Sequence, residues 1–199
     1  MLEPIIKRRR LVLASTSPYR RQLLERLAVP FESAPPVCDE TPLPGEAPAA
    51  TALRLALTKA RSLQGRYADA LIIGSDQVAS SGGLRLGKPG THGNAVRQLQ
   101  SLSGREAEFH TAVCVLDAHS GAEQSRVVPC RVTFRKLDDA LIERYLERER
   151  PYDCAASAKA EGLGIALLSR IDTEDPTSLI GLPLIALSDM LERAGLPVV

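Results

Sequence analysis

No charge of one sign dominates this sequence: 25 lysines and arginines face 24 aspartates and glutamates, leaving a formal net charge of +1. Without a global field, nothing draws the chain as a whole toward nucleic acid or an anionic membrane, so any phosphate recognition has to be local. Cysteine is sparse and scattered. Cys38, Cys114, Cys130 and Cys154 form no C-x-x-C pair and have no histidine at zinc-type spacing, which argues against a metal staple and reads as four reduced thiols. His92, His110 and His119 likewise lack ligand spacing and read as structural or exposed. Long apolar runs are missing too: nothing approaches the roughly 18–20 consecutive apolar residues of a membrane span. The basic run Lys7-Arg8-Arg9-Arg10 is followed only by Leu11 to Ala14 before polar residues intervene, short of the roughly 7–15 apolar residues of a secretion signal. It reads as a solvated lead-in to a first strand, and the chain as a cytoplasmic one. With 199 residues the chain is expected to form a single domain, 1–199, that buries a full core unaided.

What is present is an unusual start. Leu11 to Ala14 reads as a buried strand, and Ser17-Pro18 matches the N-cap and first-position proline that open a helix. Leu23, Leu24 and Leu27 give that helix its core face. Free amides and partial positive charge at a helix N-terminus favour acidic side chains, yet Arg20 and Arg21 stand there. A bound phosphate reverses the penalty. Ser15, Thr16 and Ser17, exposed amides and guanidiniums are the groups that hold a polyphosphate. A solvated basic helix face has the same composition.

Downstream, residues 35–48 form a proline-rich loop that cannot be regular structure. A helix is expected from about Ala49 to Leu63, with Leu53, Leu57 and Ala60 facing inward and Arg54 and Lys59 elsewhere on its surface. Ala70 to Gly74 is a continuous apolar run, as in a central strand covered on both faces, with Ser75-Asp76-Gln77 just past its end. Thr91 caps a helix to about Leu102, and residues 109–116 and 125–136 form a hairpin turning at 117–121. Asp138 caps an amphipathic helix to about Arg148. A glycine-punctuated loop and short strand (161–166), a polar loop through Asp172 to Ser178, and a last helix from Pro183 to Ala194 complete a mixed α/β sheet with helices on both faces.

In such sheets ligands bind beyond the carboxyl ends of strands. Ser15 with Arg20 and Arg21, then Asp76, then Lys88 between glycines all fall at such ends. A carboxylate there, opposite phosphate-holding cations, can coordinate a divalent metal or position an attacking water. Asp76 fits a simple turn cap equally well by pattern. Glu40 on the proline-rich loop reads as a loop anchor or a metal ligand, and spacing does not separate the two.

The strings L-A-S-T-S-P-Y-R-R, D-E-T-P-x-P-x-E, G-S-D-Q-V, G-K-P, S-G-R, E-G-x-G-I and G-L-P-L run in one order over essentially the whole chain. Together they resemble the Maf family of nucleoside triphosphate pyrophosphatases. The aromatic Tyr19 in place of an arginine, Gln77 after the aspartate, and Glu161 before Gly162 make the chain most similar to the 7-methyl-GTP branch. That resemblance implies a Maf/ITPase-like fold with a cleft between two lobes. It implies hydrolysis between the α- and β-phosphorus atoms, aided by a divalent cation, Mg or Mn. Asp76 matches the family's proton acceptor; Ser15, Arg20, Arg21, Lys59 and Lys88 match its phosphate-side residues. Glu40 and Asp76 are the implied metal carboxylates. Tyr19, Gln77 and Glu161 match positions linked to substrate choice, with Tyr19 standing where the branch usually carries tryptophan.

Methylation at N7 makes guanine a cation, which gains from stacking on an electron-rich ring and from a nearby carboxylate. Glu161 also suits the N1–H and N2–H₂ edge of guanine, and a pyrimidine would leave it unpaired. The implied partner is a small-molecule nucleotide, with neither nucleic acid nor membrane; a homodimer is compatible with the sequence. Two other readings are compatible with the sequence: a pyrophosphatase for dTTP, UTP or another modified nucleotide, and a non-catalytic nucleotide-binding regulator of cell division.

Overall fold

The computed structural model describes residues 9–199, so Lys7 and Arg8 of the basic lead-in lie outside the described residues. Its frame is a seven-stranded sheet in the order β2-β1-β3-β5-β6-β7, with β4 paired to the far end of β3. The strands are β1 (Arg10–Ala14), β2 (Glu32–Ala34), β3 (Ala70–Ser81), β4 (Leu84–Leu86), β5 (Glu106–Asp117), β6 (Glu123–Phe134) and β7 (Leu168–Thr173). β1 pairs in parallel with both β2 and β3, while every pairing from β3 to β7 is antiparallel. The helices are α1 (Pro18–Glu25), α2 (Pro48–Arg61), α3 (His92–Leu102), α4 (Asp139–Glu149) and α5 (Leu184–Arg193).

Strand alternation distributes these helices over both faces. Leu11, Leu13, Leu71 and Ile73 pack with α1 and α5 through Leu23, Leu24, Leu187 and Leu191. Val12, Ala14 and Ile72 point the other way, onto Ala52, Ala56 and Ala60 of α2. A third core lies toward the opposite ends of β5 and β6, where Phe109 and Phe134 meet Leu99 of α3 and Ile142 of α4. The cleft opens between these lobes.

The expected caps form. Ser17, Thr91 and Asp138 each accept a backbone N–H from the first turn of α1, α3 and α4. Other expectations change. The apolar run at 70–74 is only the first part of β3, which continues to Ser81, so Asp76 lies within the strand rather than past its end. β1 stops at Ala14, opposite Gly74, and β3 runs on against β5, where Asp76 pairs with Ala112. Asp76 is therefore beyond the end of the neighbouring strand. The segment 161–166 does not contain a short strand: Leu163–Leu167 forms a 3₁₀ turn and β7 begins at Leu168. The expected polar loop likewise holds the end of β7 and a 3₁₀ turn, Pro176–Ile180.

On α2 the inward face is not the one the leucines mark. Leu53 and Leu57 are half-buried, while Ala52, Leu55, Ala56, Lys59 and Ala60 are buried. Gly74 explains the choice. A Cβ on it would stand 2.0 Å from the Ala56 carbonyl oxygen and 2.9 Å from the Ala60 amide, so the helix backbone lies directly on the strand. Only small side chains fit between them.

Gly74→Ala is expected to destabilise the chain by about 3 kcal/mol, because the obstruction is backbone and cannot rotate away. Gly65→Ala, where nothing lies within 4 Å of the added carbon, is expected to change stability by less than about 1 kcal/mol. Equilibrium denaturation of both variants checks the contrast; equal stabilities would refute the close seating of α2.

Candidate active site

At the end of β1 the chain makes a tight, polar entry into α1. Ser15 Oγ accepts the Ser17 amide at 3.1 Å, and Ser17 Oγ accepts the Arg20 amide at 3.4 Å. Pro18 then starts the helix with no amide to satisfy. The Arg20 side chain runs across to the segment before α5, where its Nε donates to the Gly181 carbonyl at 2.9 Å. Ser75 Oγ donates to the same carbonyl at 2.9 Å. Gly181 holds φ +120°, a backbone that side-chain-bearing residues rarely adopt, so this anchor point depends on a glycine. Burial lowers the Arg20 guanidinium's pKa, with the charges of Asp76 and Glu40 opposing it.

Arg21 takes a different course. One residue along a helix is a turn of about 100°, and Arg21 is exposed and paired with Glu25 at 3.1 Å instead of lining the cleft. The expected pair of phosphate-facing arginines is thus reduced to Arg20.

The cleft has a volume of about 580 Å³. Ser15, Arg20, Glu40, Lys59, Asp76 and Lys88 line it, with the cations gathered at one end, and Tyr19, Gln77 and Glu161 also face it. Lys59 is the centre. It is 4% exposed, and its ammonium contacts Asp76 Oδ1 at 2.6 Å and Glu40 Oε1 at 2.7 Å. Asp76 itself is 7% exposed, on the face of β3 that α2 covers. A lysine read as surface from helical periodicity is buried because this partner waits on the strand.

Glu40 is more open. Desolvation raises its carboxyl, but Lys59, Arg20 and Lys88 outweigh that and hold it below the usual value. Lys88 is exposed and makes no ion pair among the described residues, so its charge is available to a ligand. No cluster of three or more His, Cys, Asp or Glu side chains forms a metal cage among the described residues. Two carboxylates on one ammonium nevertheless fit an Mg-type ion, which takes one or two carboxylates and completes its shell with water and substrate phosphates.

The other end of the cleft is organised around Tyr19. Its hydroxyl donates to Asp153, with contacts of 3.2 and 3.1 Å to the two carboxylate oxygens, and Cys154 Sγ lies 3.7 Å from it. Burial, then Cys154 and Asp153, raise the phenol's pKa, so it remains a donor. Burial likewise pushes the Cys154 thiol up to about 11. The Lys159 ammonium stands 5.7 Å from the ring centroid and pairs with Glu149 at 2.8 Å. Glu161 is on the same side; desolvation raises its carboxyl, Lys159 pulls it down, and Glu149 and Asp153 push it further up. Gln77 is a brace. Its Nε2 donates to Thr111 Oγ1 and to the carbonyls of Ser178 and Leu179 at 2.9–3.1 Å, leaving only its amide oxygen for a ligand.

Sequence reasoning missed Asp153, Arg85 and Glu46. Glu46 accepts from Arg54 Nε at 2.7 Å, Thr51 Oγ1 at 2.7 Å and the Leu43 amide at 3.2 Å, and Arg54 pins its carboxyl down to about 2. Arg85 Nη2 reaches across from β4 to the Glu46 carbonyl at 2.6 Å and Thr51 Oγ1 at 2.8 Å. The final glutamate of D-E-T-P-x-P-x-E was a visible signal for Glu46; Arg85 and Asp153 had none.

The chain resembles known proteins over nearly its whole length. A family profile described as Maf-like protein matches residues 10–194. Relatives named 7-methyl-GTP pyrophosphatase include one from Paraburkholderia xenovorans, 60% identical over 94% of this chain and 93% of its own length. Another, from Burkholderia pseudomallei, is 59% identical over 94% of this chain and 89% of its own. A third, from Polaromonas sp., is 59% identical over 94% and 85% respectively. The chain belongs to the Maf family.

Proposed function

We propose that this chain is a nucleoside triphosphate pyrophosphatase that hydrolyses 7-methyl-GTP to 7-methyl-GMP and pyrophosphate, removing a modified nucleotide from the pool. The observation that carries the chemistry is the Lys59 ammonium buried between Asp76 and Glu40, directly beyond the end of β1. The substrate rests on the name of relatives that share about 60% of their residues with it across nearly its whole length.

In this reading the triphosphate lies along the Ser15–Ser17 turn, between Arg20 and Lys88. Asp76 accepts the proton of the attacking water. Lys59, fixed at 2.6 Å, orients that carboxylate and supplies positive charge where negative charge grows. Arg20 and Lys88 neutralise the departing pyrophosphate. Asp76 and Glu40 would hold a divalent cation, Mg or Mn, which when bound neutralises phosphate charge and polarises the anhydride. Tyr19 stacks on the base, and Glu161 accepts from its N1–H and N2–H₂ edge. Among the described residues no helix is long and apolar enough to cross a membrane, and we place the enzyme with its nucleotides in the cytoplasm.

Incubated with 7-methyl-GTP and Mg²⁺ or Mn²⁺, the protein is expected to yield pyrophosphate and the monophosphate, followed by phosphorus NMR. A diphosphate plus orthophosphate would overturn the reaction class. Faster turnover of dTTP or UTP would overturn the substrate, and binding without turnover of any triphosphate would favour a regulator.

Asp76→Asn is expected to lower kcat by about 10²–10⁴. The amide oxygen still accepts from Lys59, so the fold is retained. Near-normal turnover, with the variant confirmed folded by circular dichroism, would return Asp76 to a structural role.

Base choice is expected to divide between two residues. Tyr19→Ala is expected to reduce preference for 7-methyl-GTP over GTP by about 1–2 kcal/mol. Glu161→Gln is expected chiefly to relax purine against pyrimidine. Steady-state kcat/KM for these triphosphates and UTP measures both, and equal effects of both substitutions on all substrates would contradict the division.

A further inference from the structure

We propose that Asp153 is a further specificity-determining residue: its carboxylate, fixed on the Tyr19 hydroxyl in the cleft, attracts the positive charge of an N7-methylated purine. This inference rests on the substrate reading above.

The first support is geometric. The Tyr19 hydroxyl meets the two carboxylate oxygens of Asp153 almost evenly, at 3.2 and 3.1 Å. Both residues line the cleft, so the stacking surface and the carboxylate are joined as one unit. A base lying on the ring has that negative charge near its edge.

A second support is the balance of charge at this end. Glu149, Asp153 and Glu161 gather here around the Lys159 ammonium. Lys159 is taken up by Glu149 at 2.8 Å, and neither Asp153 nor Glu161 makes an ion pair among the described residues. The two unpaired carboxylates feel each other, since Asp153 is one of the charges that raise Glu161. Inserting a cation between them relieves this repulsion; inserting neutral guanine does not. At the opposite end Arg20, Lys59 and Lys88 outnumber Asp76 and Glu40. The cleft is therefore positive toward phosphate and negative toward base, the polarity of a nucleotide whose base is itself a cation.

Lys159 argues in the same direction. The Lys159 ammonium stands 5.7 Å from the Tyr19 ring centroid, so the ring already accommodates a positive charge beside it. With Glu149 neutralising Lys159, the remaining attraction comes from the two carboxylates.

The test uses the full chain and two substrates of nearly equal shape. One is 7-methyl-GTP; the other is 7-methyl-7-deaza-GTP, which keeps the methyl group and lacks the ring charge. Asp153→Asn retains an oxygen to accept the Tyr19 hydroxyl, so the ring keeps its anchor. In the variant, the ratio of kcat/KM for the charged over the neutral substrate is expected to fall roughly five- to tenfold. The kcat/KM for the neutral substrate is expected to fall less than that for the charged one, because no charge term is lost there. Discrimination by the unmutated enzyme is also expected to shrink with added salt, and that of Asp153→Asn to shrink less. A parallel fall for both substrates would mean that Asp153 merely holds Tyr19, and would overturn the proposal. Full discrimination by Asp153→Asn would overturn it while leaving the substrate reading intact. An unmutated enzyme that prefers another triphosphate and treats the two analogues alike would overturn both.

Discussion

The seating of α2 on β3 at Gly74 is the contact on which the site depends. Because the glycine lets the helix backbone touch the strand, residues one turn further along the helix meet residues two further along the strand. Those are Lys59 and Asp76. Strand alternation places Asp76 on the same face as Gly74, and the helix turn from Ala56 brings Lys59 down on that face. A larger residue at position 74 would raise the helix and separate the pair. The absence of one side chain thus sets the geometry of two others.

Burying that pair is costly. Removing two charges from water costs several kcal/mol per ion, and breaking such a pair on one side costs about 3–5 kcal/mol. A well-packed apolar pair would serve stability at least as well. The presence of an ion pair here, with a second carboxylate on the same ammonium and an open cleft beside it, fits a site shaped by chemistry more than by packing. Arg20 follows the same logic: its guanidinium is desolvated and tied to a carbonyl that only a glycine at position 181 presents in this way.

Local signals in the sequence were legible, and non-local ones were not. Ser17-Pro18, Thr91 and Asp138 marked helix starts correctly because a cap is satisfied by amides two or three residues away. The Asp117–Gly121 turn and its two strands were legible for the same reason. Asp76 was misplaced relative to its strand because the second part of β3 is held by β5, distant in sequence (Asp76 pairs with Ala112), and its residues are less apolar than Ala70–Gly74. Lys59 read as exposed because helical periodicity cannot foresee a partner on another element. Arg20 and Arg21 look alike in sequence; only the helix phase and the Gly181 carbonyl separate them. Asp153 follows Pro151-Tyr152 without any pattern, and its importance appears only when Tyr19, 134 positions earlier, donates to it.

The two ends of the cleft are also built on different elements. The Lys59 end hangs on α2: its C-terminal half carries Lys59, and its first two turns hold the Glu46 hub through Thr51 and Arg54. Glu46 fixes the loop that bears Glu40, and Arg85, bonded to its carbonyl, fixes the β3–β4 hairpin that leads to Lys88. One helix therefore sets the relative positions of Lys59, Glu40 and Lys88. The Tyr19 end is carried instead by α1 through Tyr19 and by the segment after α4 through Asp153, Lys159 and Glu161. Residues that share no partners tend to contribute independently. In the proposed reading, a Tyr19–Asp153 unit detached from the Glu46 hub can thus alter which base is accepted while the Asp76–Lys59 chemistry stays as it is, so a common hydrolytic centre can serve nucleotides that differ only in their bases.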